Sequence, residues 1–335
     1  MQRIYKIAVT GAGGHVGNVL CRMLAAKGFP VKALYHHYNK SLQGINAALI
    51  QGDVLNKDDL RRLLQDCNIV IHCAAVISIH GDPTGIVFET NTKGPALVLE
   101  TAVEKGLKKI IHISSTHAVN ELPHNIPFNE TRLYKTSKDY AYDHSKAEAE
   151  HIMLGSELSR QIETVVLRLS SVIGPYDFKP SEPGKALLDF YHRKISILPQ
   201  GGYNFIDVRD VCNSIINSIE KARDKEVYLL AGKYYTMNAF ANCITTATGI
   251  KTPTTTVPYK MLKAVLPFVQ WYSRLMKAAP LYTIESIDAL KNGHPNMDTS
   301  KAATEFDHQC RPLADSIRDF YDWHFSNNKN DLKWI

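Results

Sequence analysis

Short apolar runs rich in β-branched residues alternate, through the first 170 residues, with stretches whose apolar side chains recur every three or four positions. Runs of the first kind are typical of buried strands, and stretches of the second kind are typical of amphipathic helices. The predicted strands span residues 4–10, 31–35, 47–53, 69–75, 109–115 and 164–170. Because strands and helices alternate, the pattern predicts an α/β fold built on a doubly wound parallel sheet.

Polar residues and glycines indicate where several helices begin and end. Asn56 is placed to cap a helix that runs to about residue 67, and Gly106 is placed to close a helix over about residues 87–105. Either Ser137 or Asp139 is placed to begin the next long helix, and Asp210 to cap a helix over residues 212–220. These signals separate the successive predicted strands.

A glycine-rich loop joins the first predicted strand to the first predicted helix. Residues 10–17 read TGAGGHVG and fit the pattern GxxGxxG through Gly11, Gly14 and Gly17. In this context, glycines let the backbone approach a pyrophosphate at the helix N terminus. The alternative is a tight turn that binds no ligand. The loop therefore predicts a dinucleotide-binding sheet of the Rossmann type.

The end of the second predicted strand bears on which dinucleotide binds. His36 and His37 stand where an acidic residue would favour NAD, with Lys40 close behind and no carboxylate beside them. Imidazole and ammonium groups attract a 2′-phosphate, so NADP is favoured over NAD, although neighbouring histidines are also typical of exposed loops. Asp53 and Val54, after the third strand, are placed to contact the adenine. Asp53 could equally be a solvated turn residue.

The regular alternation stops after residue 175, where proline and aromatic residues become more frequent. Two strand-like runs follow, at residues 204–208 and 226–230. We expect residues 1–173 to form an NAD(P)-binding Rossmann domain, with a later strand near 202–210 rejoining it. Residues 174–335 are expected to form mainly a smaller C-terminal substrate-binding lobe.

The pattern YxxxK occurs twice within residues 134–146, as Tyr134 with Lys138 and as Tyr142 with Lys146. A tyrosine four residues before a lysine on a helix shares a face with it, and the ammonium can lower the phenol pKa. The second pair is followed by KAEAEHIML, a strong helix-forming stretch, whereas the first lies in a polar stretch before that helix. Ser115 ends the fifth predicted strand, where parallel sheets bind ligands.

These motifs together resemble one protein family. TGxxGxxG after the first strand, serine at the end of the fifth, YxxxK on the next helix and RLSSVIGP after the sixth are similar to the extended short-chain dehydrogenase/reductases of the NAD-dependent epimerase/dehydratase superfamily. GPYDFKPSEPG at residues 174–184 and GGYNFIDVRDV at 201–211 resemble its bacterial dihydroflavonol reductase-like branch. The resemblance covers nearly the whole chain.

The resemblance implies roles for individual residues. Tyr142 would be the general acid/base, Lys146 would lower its pKa and hold the nicotinamide ribose, and Ser115 would hydrogen-bond the substrate oxygen, with Thr116 as the alternative. Asn91 would either order water near Lys146 or stabilise its helix. The full set of expected dinucleotide contacts is Gly11, Gly14, His15, Val16, Gly17, His36, Asp53, Val54, Cys73, Ala74, Ala75, Tyr142, Lys146, Leu169, Ser170 and Ser171.

The function implied first is an NADP-dependent reductase or dehydrogenase acting on a carbonyl or secondary alcohol of a small, fairly apolar substrate, like dihydroflavonol reductases or hydroxysteroid dehydrogenases. Aromatic residues of the second half favour such a substrate, namely Tyr176, Phe178, Tyr191 and Phe205. An alternative is a nucleotide-sugar epimerase or dehydratase with tightly bound NAD, which would need basic residues such as Arg193 and Lys194 for the diphosphate. A noncatalytic dinucleotide sensor is a third interpretation, although sensing requires no proton donor.

Composition restricts the other functions. The net charge of +6 is spread along the chain without a basic run, which argues against nucleic-acid binding. The apolar stretch from Met261 to Pro280 is interrupted by charges, so no integral membrane segment is expected. Its aromatic residues Phe268, Trp271 and Tyr272 are typical of packing or of a lid over the substrate.

Cysteine and histidine usage points to a reducing environment and no metal. The six cysteines include no CxxC pair, and the fourteen histidines form no HExxH motif, so no metal site is predicted. We expect a cytoplasmic enzyme with a small-molecule substrate. The resemblance also allows a homodimer formed through the helices that match residues 87–105 and 138–160.

Overall fold

The computed structural model describes residues 5–266 and 282–335. The expected packing or lid residues Phe268, Trp271 and Tyr272 lie outside this range. Within it, no helix is both long and apolar enough to cross a membrane.

Seven parallel strands form the main sheet, in the order β10-β6-β5-β4-β1-β2-β3. The order reverses beside β1, so the sheet is doubly wound as predicted, and ligands bind such sheets at the carboxyl ends of the strands near this point. The strands are β1 (Ile7–Thr10), β2 (Val31–Tyr35), β3 (Ala48–Gln51), β4 (Ile69–His72), β5 (Lys109–Ser115), β6 (Glu163–Leu169) and β10 (Val227–Leu230).

Helices cover both faces of this sheet, and each face has its own apolar core. The helices of the described chain, not all of which lie on this sheet, are α1 (His15–Ala26), α2 (Lys57–Leu64), α3 (Ile86–Glu104), α4 (Ala141–Gly155), α5 (Glu182–Tyr191), α6 (Val208–Lys221), α7 (Met237–Thr248), α8 (described over 259–266), α9 (Ile284–Asn292), α10 (Ser300–Phe306) and α11 (Leu313–His324). Side chains of α1 and α6 pack on one face, and those of α2, α3 and α4 pack on the other. This is the layered arrangement that alternating strands and helices require.

The predicted helix boundaries were right at two places and wrong at two others. Asn56 caps α2 by accepting hydrogen bonds from the next turn, and Gly106 follows α3 with a positive φ of 66°. However, α4 begins only at Ala141, because Asp139 accepts the Thr136 amide in a preceding turn. Asp207, not Asp210, caps α6.

The remaining strands form small sheets outside the main one. They are β7 (Ser171–Ile173), β8 (Leu198–Pro199), β9 (Gly202–Asp207), β11 (Lys233–Thr236) and β12 (Thr256–Val257). β9 pairs with β7 and β11, so the strand expected to rejoin the main sheet near residues 202–210 does not. The run that rejoins is β10, whose apolar side chains are mostly buried and whose backbone pairs in parallel with β6.

Candidate active site

The glycine loop packs too closely for other residues at three of its positions, one of which is Gly13, where a Cβ atom would lie 2.4 Å from the Tyr38 oxygen. A Cβ atom on Gly11 would lie 2.6 Å from the Ala74 nitrogen, and one on Gly17 would lie 2.2 Å from the Gly11 oxygen. Gly14 differs, because it is the N-cap of α1 and its Cβ would meet only the Gly11 oxygen, at 3.3 Å. The first turn of α1 carries no acidic side chain. The N terminus of α1 therefore offers an uncrowded site for an anionic group.

The other expected dinucleotide contacts surround this helix end at the carboxyl edge of the sheet. Cys73, Ala74 and Ala75 follow β4, while Leu169, Ser170 and Ser171 lie at the end of β6 and the start of β7. Val16 lies in the first turn of α1, and its neighbour His15 is already engaged, because its Nε2 lies 2.9 Å from the Pro175 oxygen. The His15 ring thus links the glycine loop to the segment after β7.

The fold places a carboxylate beside the end of β2, although the residues that directly follow β2 in the sequence include none. His36 Nε2 lies 3.5 Å from Asp53 Oδ2, with 60% of the His36 side chain and 41% of the Asp53 side chain exposed. The His37 ring lies 3.7 Å from the His36 ring. Val54 is buried, with its side chain beside Gly94 of α3. The sequence predicted that no carboxylate lies beside His36. This prediction is wrong, because the fold places Asp53 there.

Ser115, Tyr142 and Lys146 come together where β5 ends beside the first turns of α4. The Ser115 hydroxyl accepts the His117 amide at 3.2 Å, and it lies close enough to the Tyr142 phenol to lower the phenol's pKa. Burial raises the pKa of Tyr142 to about 12, against a lowering by Ser115. Lys146 is buried and donates to the Ile113 carbonyl oxygen at 2.9 Å. Because the ammonium is directed there, Ser115, not Lys146, is the group that lowers the Tyr142 pKa.

Tyr134 of the other YxxxK pair has other neighbours. Its ring lies 5.2 Å from the Arg168 guanidinium carbon and 4.4 Å from the His151 ring. Burial raises the pKa of Tyr134 to about 12. Lys138, its sequence partner, is exposed. The two tyrosines therefore have different surroundings, and only Tyr142 adjoins both a serine hydroxyl and the glycine loop's edge of the sheet.

Asn91 acts on the backbone of the site. Its Oδ1 accepts the Val76 amide at 2.8 Å, and its Nδ2 donates to the Val76 oxygen and to Ser145 Oγ at 2.9 and 3.0 Å. These bonds connect the loop after β4 with α4, so Asn91 orients the helix that carries Tyr142. The two expectations for Asn91, ordering water or stabilising a helix, did not include this connection.

A buried ion pair beneath α4 was not predicted. Arg168 and Glu150 are both fully buried and joined at 2.7 Å, and Ser114 Oγ donates to Glu150 at 2.6 Å. Removing one partner would leave an uncompensated buried charge. The pair holds α4 against β5 and β6. The sequence feature that could have indicated this ion pair is an arginine at the end of a predicted buried strand.

The aromatic residues expected to surround an apolar substrate mostly pack in the interior. Tyr176 is fully buried, Phe178 packs against Trp323 at 5.0 Å, and Phe205 stacks on Phe240 at 4.5 Å. Of the four residues, only Tyr191 is substantially exposed. Their positions reflect core packing, so they carry no information on the substrate.

The site fits a nicotinamide dinucleotide by two observations. Within residues 5–266 and 282–335, no side chain beyond those of its two chain neighbours lies within 4 Å of the Cβ position of Gly14, at a helix N terminus, which suits a pyrophosphate. The buried Lys146 ammonium, with three donors, makes one hydrogen bond among the described residues and suits ribose hydroxyls as further acceptors. A nicotinamide dinucleotide, if bound here, would supply a hydride donor or acceptor.

Comparisons with known proteins identify the family of the chain. The sequence model of the NAD dependent epimerase/dehydratase family matches residues 7–231. The chain is 26% identical over 301 residues to sterol demethylase protein B of Methylococcus capsulatus, covering 89% of this chain and 91% of that protein. It is 28% identical over 331 residues to a Synechocystis protein provisionally named dihydroflavonol 4-reductase, covering 96% and 94%.

Solved structures share the fold. The crystal structure of gox2253 superposes with a TM-score of 0.82 at 26% identity, covering 95% of this chain and 97% of that one. The UDP-glucose 4-epimerase of Thermotoga maritima has a TM-score of 0.77 at 18% identity, covering 95% and 98%. At the lower identity the likeness concerns the fold alone.

Proposed function

Because the chain belongs to the NAD-dependent epimerase/dehydratase family, we propose that it is an oxidoreductase acting with a nicotinamide dinucleotide. It would transfer a hydride to or from a carbonyl or secondary alcohol carbon of a small, fairly apolar substrate. The observation that carries this proposal is the meeting of Ser115, Tyr142 and Lys146 at the carboxyl edge of the sheet. The names of two relatives, which mention a sterol and a dihydroflavonol, support a ring-containing substrate.

The three side chains divide the proton chemistry between them. Tyr142 exchanges its phenolic proton with the substrate oxygen, while Ser115 hydrogen-bonds that oxygen and stabilises the charge that develops there. The Lys146 ammonium holds the ribose, while Ser115 rather than Lys146 lowers the pKa of Tyr142. A complete set of these groups favours an enzyme over a noncatalytic sensor.

Epimerisation of a nucleotide sugar is less well supported. The two cationic residues expected to hold a diphosphate are Arg193 and Lys194, and the Lys194 ammonium lies 3.3 Å from Asp189. That carboxylate offsets the charge a diphosphate would need. The structural likeness to an epimerase extends to the fold only.

We propose that NADP is preferred to NAD, by a small margin. His36, His37 and Lys40 supply donors and positive charge near the end of β2, which supports a 2′-phosphate. Asp53 works against it, because its carboxylate lies 3.5 Å from His36. The proposal extends to a cytoplasmic enzyme, supported by six free cysteines, and to a homodimer formed through α3 and α4, as the resemblance implies. Sedimentation equilibrium at micromolar concentration tests the dimer, and a single monomeric species would contradict it.

The test of the function is a screen of ketones, aldehydes and nucleotide sugars with NADPH and NADH, on the wild type and two matched variants. Tyr142→Phe should abolish turnover and retain dinucleotide binding, because it removes the proton and leaves the ring. Tyr134→Phe should retain turnover. Equal activity of Tyr142→Phe and the wild type would overturn the proposal, as would nucleotide-sugar turnover without net oxidation of the cofactor.

A further inference from the structure

A histidine and a carboxylate form a pair beside the Ser115 and Tyr142 hydroxyls. His117 lies on the short helical turn that follows β5, and Asp143 follows Tyr142 on α4. The His117 Nδ1 and Asp143 Oδ1 atoms are 3.0 Å apart. Asp143 is buried, whereas 33% of the His117 side chain is exposed. The His117 and Tyr142 ring centroids are 6.0 Å apart, so the imidazole adjoins the proposed proton donor.

A lysine ammonium lies among the carboxylates around this pair. The Lys135 Nζ atom lies 2.7 Å from Glu121, 3.8 Å from Asp139 and 3.9 Å from Asp143. His117, Glu121 and Asp143 offer ligand atoms within 4.8 Å of one another, but Glu121 and Asp143 already contact this ammonium. The cluster therefore gives no reason to assign a metal ion.

The environment favours a charged imidazole with one free donor. Burial alone would lower the pKa of His117, but the nearby carboxylates, Asp143 foremost, outweigh burial together and the pKa is raised. Glu121 acts in the same direction and Lys135 in the opposite one. Because Asp143 engages Nδ1, the Nε2 atom is left without a partner among the residues that the structure describes.

We propose that His117, oriented by Asp143, contacts the substrate and donates its Nε2–H to a second oxygen close to the reacting carbon. The preferred substrates are then carbonyl compounds or alcohols that carry a hydroxyl, ester or carboxylate group on a neighbouring carbon. This inference rests on the proposed function, because it places the reacting oxygen on Ser115 and Tyr142.

Selectivity follows from the cost of leaving the donor unpaired. A bound substrate would remove the exposed part of His117 from water. If the substrate offers no acceptor, Nε2–H is desolvated without compensation, which disfavours that substrate. A site built to hydrogen-bond one group discriminates strongly against analogues that lack it. His117 would thus select substrates without taking part in hydride transfer.

The experiment compares a ketone that the wild type reduces with its α-hydroxy and β-ester analogues. The measured quantity is the ratio of kcat/KM for the oxygenated analogue to that for the parent ketone. His117→Asn and Asp143→Asn should each reduce this ratio roughly ten- to a hundredfold. His151→Asn, which alters an exposed histidine on α4, the helix that carries Asp143, should leave the ratio unchanged.

A second measurement separates substrate contact from a structural role. In the NADPH complex, the NMR resonances of the His117 ring should shift on addition of the α-hydroxy ketone and not on addition of the parent ketone. An unchanged ratio in both variants, or equal shifts with both ketones, would overturn the inference. A wild type that reduces no carbonyl compound would instead overturn the proposed function.

Discussion

The Lys146 ammonium lies in the interior and makes one hydrogen bond among the described residues, to the Ile113 carbonyl oxygen. Burial lowers its pKa to about 8, because the surroundings solvate the charge poorly, although Glu150 partly opposes this. The side chain is therefore mostly charged at pH 7 and loses its proton as the pH rises through about 8. A ribose or phosphate that depends on this charge would bind less well above that pH.

We expect dinucleotide affinity to fall as the pH rises above about 8, with Lys146 as the cause. Fluorescence titration with NADPH between pH 6.5 and 9.5 measures it. Lys146→Met should bind more weakly at pH 7 and lose most of the pH dependence. Lys138→Met, which changes the exposed lysine of the other YxxxK pair, serves as the control. If Lys146→Met retains the wild-type profile, Lys146 does not contact the dinucleotide.

The His36 and Asp53 pair allows dinucleotide preference to be changed in either direction. Asp53→Asn should increase the preference for NADPH about two- to fivefold, because it removes a partly exposed negative charge near the expected 2′-phosphate. His36→Asp should favour NADH, since a carboxylate there would accept a bond from the ribose hydroxyl. The ratio of the two dissociation constants is the measurement. Unchanged ratios in both variants would place the ribose elsewhere.

At the scale of elements, two glycines at the junction of β1 and α1 have different roles. Gly17 lets α1 approach the loop, because a Cβ there would lie 2.2 Å from a backbone oxygen. Gly14 has an extended backbone with φ of −79°, which any residue adopts, and its Cβ position faces mostly open space. Gly17 is therefore needed for packing, whereas Gly14 leaves room for a ligand.

This difference predicts opposite effects of two alanine substitutions. Gly17→Ala should reduce the free energy of unfolding by roughly 1–3 kcal/mol, because the backbone must shift. Gly14→Ala should change the unfolding free energy little and weaken dinucleotide binding, because its methyl group occupies the expected pyrophosphate site. Urea unfolding and NADPH titration distinguish the two. Normal NADPH affinity in Gly14→Ala would contradict the placement of the pyrophosphate.

Local signals accounted for most of the main sheet. β5 and β6 are almost wholly buried runs, so their apolar sequences were sufficient to locate them. β7 and β11 are short and only partly buried, and their pairing with β9 depends on contacts distant in sequence. The strand near 202–210 was therefore assigned to the wrong sheet.

The residues of the candidate site also differ in whether the sequence could predict that they meet. Ser115 and Tyr142 stand in recognisable motifs, so the sequence suggested that they meet. The pairing of His117 with Asp143, and of His36 with Asp53, joins residues that are distant in the chain. No spacing rule relates such residues, because the fold alone sets the distance between them.

At the scale of the whole molecule, two buried histidines couple stability to pH. His72 and His112 face each other across β4 and β5, with ring centroids 5.4 Å apart. His72 Nδ1 lies 2.7 Å from Thr10 Oγ1, and both His112 nitrogens lack a partner in the described part of the chain. Burial lowers the pKa of His72 to about 3 and that of His112 well below its usual value, and Lys146 adds to both effects.

The sign of the coupling follows from proton binding. Below about pH 6.5 the unfolded chain protonates these histidines, whereas the folded protein keeps both neutral until much lower pH. The unfolded state therefore binds more protons, and the free energy of unfolding falls as the pH decreases. Each such histidine contributes a slope of at most about 1.4 kcal/mol per pH unit in this range.

We therefore expect His112→Leu to be less sensitive to acid than the wild type. The substitution removes a group that must lose its proton to fold and two nitrogens without protein partners, so the slope of unfolding free energy against pH should decrease by up to about 1.4 kcal/mol per unit below pH 6. Urea unfolding at pH 7.5, 6.0 and 5.0 measures it. His80→Leu, at an exposed position, is the control. Equal slopes for His112→Leu and the wild type would mean that His112 is protonated in the folded protein.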